Sequence, residues 1–192
     1  MMMIEDIVNQ HCPANWEYQN LANYKTYDLR SSSRQYEQFE SHLSGDFNKG
    51  IDRIVRVENT YLYGQFLLRK EEYETRGCCT VLQLFHDTAE SKVDSILCNN
   101  LDWRLAKRVK FGQGVSFSGS PAYANKQSSW SNGTERAMIV ADVLVQNTQH
   151  VRNSLQLPKE DYDTTVGNKG KVYVKYHDDE FYPTYVIYYE SN

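Results

Sequence analysis

An α+β domain is what this sequence predicts, on three observations. Apolar residues recur at helical spacing in several segments of the first half. Segments rich in Val, Ile and Tyr crowd the second half, as strands do. Aromatic residues make up 13% of the chain, a composition suited to sheets, whose pleated, half-buried faces flat rings fill well.

The elements follow in order. Residues 1–23 are expected to form an N-terminal arm, with Pro13 stopping any helix and Trp16 docking on the core, and residues 24–192 one compact domain. "YKTYDL" (24–29) reads as a strand. The serines at 31–33 can cap a helix over "RQYEQFESHL", where Tyr36, Phe39 and Leu43 share a face. After Gly50, "IDRIVRVEN" is a second strand, and "TYLYGQFLLRKEEYETRG" a second helix that aligns Leu62, Phe66 and Tyr73 and stops at Gly77. "CCTVLQLFH" is a third strand ending on His86. Thr88 is then expected to cap a helix carrying Val93, Ile96 and Leu97 to an Asn-rich stop.

Residues 101–136 are expected to be mostly irregular, with a short strand at "GVSF" and one helical turn at "PAYANK". Such a loop-rich middle is where a binding site belongs. "RAMIVADVLVQN", "KVYVKYHD" and "YPTYVIYYE" are the closing strands. Asp178, Asp179 and Glu180 fall between two of them as a solvated turn, and Asp102 to Arg104 as a helix exit packed by Trp103.

Composition excludes several functions. The net charge is −4 and the basic residues are scattered, so no stripe exists to displace counterions from a nucleic acid. "MMMIEDIVNQ" carries an acidic pair and no apolar signal core. No uncharged apolar run approaches the ~20 residues that cross a bilayer, so no membrane partner and a cytoplasmic or nuclear location are expected. Cys12, Cys78, Cys79 and Cys98 make no C-x-x-C pair, and no metal is assigned. They read as free, mostly buried thiols in a reducing compartment, Cys78 and Cys79 pointing to opposite faces of a strand.

Several motifs then carry a resemblance. "LFHDT" resembles the "LFHGT" of poly(ADP-ribose) polymerase-type ADP-ribosyltransferases. "LCNNLDWRLA" is similar to their "I-C-x-x-N-F-D-W-R", "FGQGVSF" to "G-x-G-x-Y-F", and "YPTYVIYY" to "Y-P-E-Y-V-I". "RQYEQFESHL", "IDRIVRVEN" and "LYGQFLLRKEE" resemble segments of the mono-ADP-ribosylating branch associated with CCCH zinc fingers. One such motif is weak evidence; several in the same order, from about residue 13 to residue 190, are not.

The resemblance implies two packed, mostly antiparallel sheets with an NAD cleft between them. It implies a glycosyltransferase reaction in which ADP-ribose passes from NAD, a substrate rather than a permanently bound cofactor, to a protein side chain. Nicotinamide leaves through an oxocarbenium-like transition state, so the nucleotide must be aligned and the developing charge stabilised. By position, the family's ribose-binding histidine is His86, and Thr88, Gly114, Phe117 and Tyr123 lie in the same nucleotide-binding segments.

Other positions depart from the pattern. The family's nicotinamide-packing tyrosine falls on Ser116, and the third member of its His-Tyr-Glu triad on Val172. The glycine after the histidine is Asp87, whose side chain and charge are expected where the family uses bare backbone. The carboxamide-binding serine is Ala124, and a second stacking tyrosine is Gln127. Losing one hydrogen bond and two stacks is worth about 3 to 5 kcal/mol, or roughly a thousandfold in affinity. Tyr123 is the side chain placed to substitute for a lost wall. Two readings result: a mono-ADP-ribosyltransferase of reduced or lost activity acting on an unknown protein acceptor, or a pseudoenzyme, a silent scaffold or interaction module that binds NAD or an ADP-ribose-like nucleotide.

Overall fold

The computed structural model describes residues 4–17, 24–43, 47, 49–106, 110–128, 133–152 and 157–190. Their helices are α1 (Ile4–His11), α2 (Arg34–Leu43), α3 (Thr60–Arg76), α4 (Val93–Asn99) and α5 (Pro121–Gln127). The strands are β1 (Lys25–Asp28), β2 (Ile51–Glu58), β3 (Thr80–Ala89), β4 (Val115–Phe117), β5 (Glu135–Val145), β6 (Thr148–His150), β7 (Thr164–Gly167), β8 (Val172–Lys175) and β9 (Phe181–Glu190). The α+β expectation holds. A five-stranded antiparallel sheet runs β1-β2-β9-β5-β3, and a four-stranded sheet runs β4-β8-β7-β6, with β6 and β7 parallel.

Alternation along the long strands divides the core. Ala137, Ile139, Ala141 and Val143 of β5 turn to an inner face, where they meet Leu84, Val186, Phe181, Val93 and Leu97, together with Val115 and Phe117 of the smaller sheet. Met138 and Val140 turn outward, where Phe39 and Leu43 of α2 cover them; Leu144 meets Leu62, Phe66 and Tyr73 of α3. This is the period-two reading of a sheet buried on both faces. Asn59 caps α3 by accepting from the Leu62 N–H at 3.0 Å, which satisfies a donor the first helical turn leaves free.

Several expectations are corrected. In the N-terminal segment Ile4–His11 is helical, ends before Pro13 and packs on α3, with Ile4 and Val8 approaching Gly64. Trp16 does dock, its ring 5.0 Å from Tyr63 and 6.0 Å from Tyr182. The third strand starts at Thr80 rather than Cys78 and continues to Ala89, so His86 lies within it. Thr88 is a buried strand residue and caps no helix; a 3-10 turn over Glu90–Lys92 leads into α4 instead. Burial of the cysteines was overstated, since Cys78 and Cys98 are exposed and Cys12 and Cys79 half-buried. The β6–β7 pair was not anticipated, because the three and four residues of its strands are too short to show alternation.

The segment 178–180 is only partly a solvated turn. Asp178 is half-buried and pairs with Arg104 at 3.2 Å. Glu180 is fully buried: Tyr73 donates to it, Lys175 lies 3.4 Å away, and the His177 N–H donates at 3.2 Å. Lys175, equally buried, also holds Asp163 at 2.7 Å. A buried charge is tolerable only when paired and hydrogen-bonded in this way.

Candidate functional site

The two sheets meet at one antiparallel bridge between β3 and the residue after β4. Phe85 and Ser118 exchange backbone hydrogen bonds there, at 2.8 and 2.9 Å. His86 follows that bridge on the inner face. Its ring stands edge-on to Phe117, 5.9 Å between centroids, and its Nδ1 lies 2.9 Å from the Ser116 carbonyl. A carbonyl only accepts, so Nδ1 carries a hydrogen and Nε2 of the neutral ring is left as an acceptor. Burial lowers the pKa of His86 below its usual value, against the bond to Ser116, which raises it. The ring is therefore neutral at pH 7.

Asp87 points to the other face, beneath α5. Its side chain is fully buried and receives hydrogen bonds from Arg136, Tyr189 and, at 3.4 Å, Asn125. Burial and the adjacent Asp87 charge raise the pKa of the Tyr189 hydroxyl, which stays protonated and donates. The Asp87 carbonyl accepts from Ser128 at 3.3 Å. The carboxylate thus sits within a cluster of its own and not on the His86 face. Arg136, Tyr189 and Asn125 carry no spacing that marks them: strand register brings Arg136 and Tyr189 to Asp87, with Asp87 opposite Met138 and Arg136 opposite Tyr189, and the packing of α5 on β3 brings Asn125.

The glycine loop has a structural reason of its own. Gly112 has φ +139°, and a Cβ there would stand 1.9 Å from the Tyr176 hydroxyl; at Gly114 it would stand 2.2 Å from the Lys175 carbonyl. No other residue fits this close approach to β8. Ser116 is exposed between buried Val115 and Phe117, its carbonyl engaged by His86. Thr88 is buried two residues beyond His86 on the same face.

Tyr123 and Val172 come together away from His86's contacts. Tyr123 packs against the small apolar cluster of Val172, Val174 and Tyr176, and its hydroxyl accepts from Asn168 at 2.8 Å. Helix α5, which carries Tyr123, is capped by Ser120 accepting from the Tyr123 N–H at 3.2 Å, with Pro121 at its first position. Ala124 turns from there toward the Phe85 and Tyr189 side of the core, whereas Gln127 is exposed. The structure thus joins His86, Ser116 and Phe117, joins Tyr123 with Val172, and places Asp87 and Ala124 on the α5 side of the five-stranded sheet. Among the described residues no group of three or more His, Cys, Asp and Glu is arranged to hold a metal ion. No helix of the described residues is long and apolar enough to cross a membrane.

This fold and its His86 junction define a class. A family model, the poly(ADP-ribose) polymerase catalytic domain, matches residues 31–191, and the chain belongs to that family. It is similar to the protein mono-ADP-ribosyltransferase PARP12 of Homo sapiens, 28% identical over 200 residues that cover 94% of this chain and 28% of the relative. The Mus musculus protein of the same name is 27% identical over 187 residues, covering 88% of this chain and 26% of its own length. The chain therefore spans about a quarter of the curated relatives it matches. The family's substrate is NAD.

Proposed function

We propose that this chain is an NAD-binding ADP-ribosyltransferase domain, mono-ADP-ribosylating at most, with turnover reduced or lost. The observation that carries the reading is the His86 geometry. With Nδ1 donating to Ser116, Nε2 is oriented and ready to accept from a ribose hydroxyl. Orientation of this kind aligns a nucleotide for reaction.

The chemistry beyond binding has little support in the side chains. Departure of nicotinamide builds positive charge on the ribose, and a nearby carboxylate is what strengthens in that transition state. Here the three positions that match the family's triad are His86, Ser116 and Val172, and Val172 is buried in an apolar cluster. Asp87, the acidic residue next to His86, is already engaged by Arg136, Tyr189 and Asn125. Tyr123, the substitute wall, packs on Val172 and accepts from Asn168. The second reading, a silent nucleotide-binding module with an unidentified protein partner, draws on the same engagement of Asp87.

Melting temperature measured with NAD and with a non-hydrolysable analogue, alongside automodification with labelled NAD, separates the readings. A shift with neither label nor free nicotinamide supports binding without turnover. Labelling that His86→Ala abolishes establishes the enzyme, and no shift at about millimolar ligand overturns both.

A further inference from the structure

A half-open cavity lies on the outer face of the five-stranded sheet. Its volume is about 210 Å³, and Asp142 lies among its lining residues. Asp142 stands opposite Gln83 on β3 and Tyr182 on β9. The β9 strand carries a bulge where Val140 pairs with Tyr185 and Ala141 with Pro183, leaving Thr184 as the extra residue. Its hydroxyl donates to the Val140 carbonyl at 3.0 Å. The bulge resets the alternation, so Tyr182 and Tyr185 both face the side that Asp142 faces. Trp16 from the N-terminal segment and Tyr63 from α3 complete an aromatic wall, each ring within 6.0 Å of Tyr182.

Asp142 has no hydrogen-bond or ion-pair partner among the described residues. Arg56 at the rim does not supply one: its Nη2 lies 2.7 Å from Glu58 and 3.4 Å from Glu17, and its Nε donates to Glu58 at 3.0 Å. Burial alone pushes the Asp142 carboxyl up to about 6, with no cation offsetting it. A half-buried carboxylate without a protein partner is raised in free energy, and the aromatic rings lining the same cavity do nothing to offset that unless a cation enters.

We infer that this cavity is a binding site for an alkylammonium group, held between the Asp142 carboxylate and the rings of Trp16, Tyr63 and Tyr185, which the buried Tyr182 supports from behind. Carboxylate and ring faces both attract a cation, and the rings accommodate methyl or methylene groups around it. The ammonium comes either from a lysine side chain of a protein or from a free quaternary amine. The site does not rest on the nucleotide reading, since His86 lies on the opposite face of the sheet.

The test follows the Trp16 indole N–H signal by NMR in the whole chain, assigned through Trp16→Phe. Choline, N-acetyl-lysine amide and the neutral isostere 3,3-dimethylbutanol are titrated in turn. The expected result is saturation by an ammonium probe and none by the isostere. Asp142→Asn should weaken the response roughly tenfold or more, and so should acidification below the Asp142 pKa. The groups facing Asp142 are Gln83, then Tyr63, Tyr182 and Tyr185, whose hydroxyl pKa values burial raises further from that pH, and Arg56 at the rim, which is paired with Glu58 and Glu17. Saturation by the lysine probe alone assigns a protein side chain, and by choline alone a small amine. An equal response to the neutral isostere, indifference to Asp142→Asn, or no response to either ammonium overturns the inference. Thermal shifts with NAD, run on His86→Ala and Asp142→Asn, keep failure here distinct from failure of the nucleotide reading.

Discussion

His86 and Asp87 are neighbours in β3, yet they serve opposite faces of one sheet. His86 reaches the Ser116 carbonyl at the junction with the smaller sheet, and Asp87 receives Arg136 and Tyr189 beneath α5. Adjacent strand residues point apart, so the family's glycine position gains a carboxylate here without placing it beside the histidine.

Restoring that glycine is therefore expected to damage the fold rather than revive activity. Asp87→Gly removes the carboxylate that Arg136 bonds within a site where both side chains are almost wholly buried. Breaking such a pair costs about 3 to 5 kcal/mol. Urea unfolding should show that loss, and adding Arg136→Met should recover much of it. Full stability in the single variant would mean that the pair contributes little.

His86→Gln tests the oriented acceptor. The substitution keeps a polar side chain but loses the fixed ring Nε2, so any NAD-dependent rise in melting temperature should fall to the level of the untreated protein. The Ser116 bond is one neutral contact, worth about 1 kcal/mol, so stability without ligand should change little. Unchanged NAD response in the variant would remove His86 from the site.

Acid stability should depend on Asp163. Burial opposes its ionisation, but Lys175, Thr164 and the Asn147 N–H together hold its carboxyl below the usual value of 3.8. A group depressed in the folded state stabilises above its unfolded pKa, and that contribution disappears as pH falls through the lower folded value. Asp163→Asn should accordingly destabilise the protein at pH 7 and make unfolding less steep with pH below about 4. The same steepness in both proteins would assign acid unfolding to other groups.

Asp142 has the reverse sign. Its carboxyl is raised from 3.8 to about 6, so stability is greatest below the unfolded value and is lost as pH climbs through the folded one. Ionising it in the fold costs roughly 2 kcal/mol, reduced by solvent at the cavity mouth. Asp142→Asn is expected to raise the melting temperature at pH 7 and to flatten the stability profile between about pH 4 and pH 6. A lower melting temperature would show that the carboxylate has a partner in solution. Stability gained while ammonium binding is lost would mark a residue kept for a ligand.

The glycine loop offers a check on packing. Gly114→Ala sets a methyl group 2.2 Å from the Lys175 carbonyl, a backbone atom that cannot turn aside, and should cost about 1 to 3 kcal/mol in chemical unfolding. An unaffected midpoint would mean that β8 and the loop separate easily.

Much of this protein was legible without coordinates. The periodicity of Tyr36, Phe39 and Leu43 placed α2, the β-branched run of β2 placed that strand, and Ser33 caps α2 as its chemistry requires, accepting from the Tyr36 N–H at 3.3 Å. Motif order carried the family, which the match over residues 31–191 supports. Local pattern stopped there because it says nothing about which distant residue lies opposite. Strand register set Arg136 and Tyr189 around Asp87, and the β9 bulge turned Tyr182 and Tyr185 onto the face of Asp142. Glu180 shows the same limit: two acidic neighbours make it read as solvated turn, whereas Lys175, Tyr73 and the His177 N–H make it a buried ion. Which charges are buried, and therefore which need partners, was decided by contacts between strands and helices far apart in the chain.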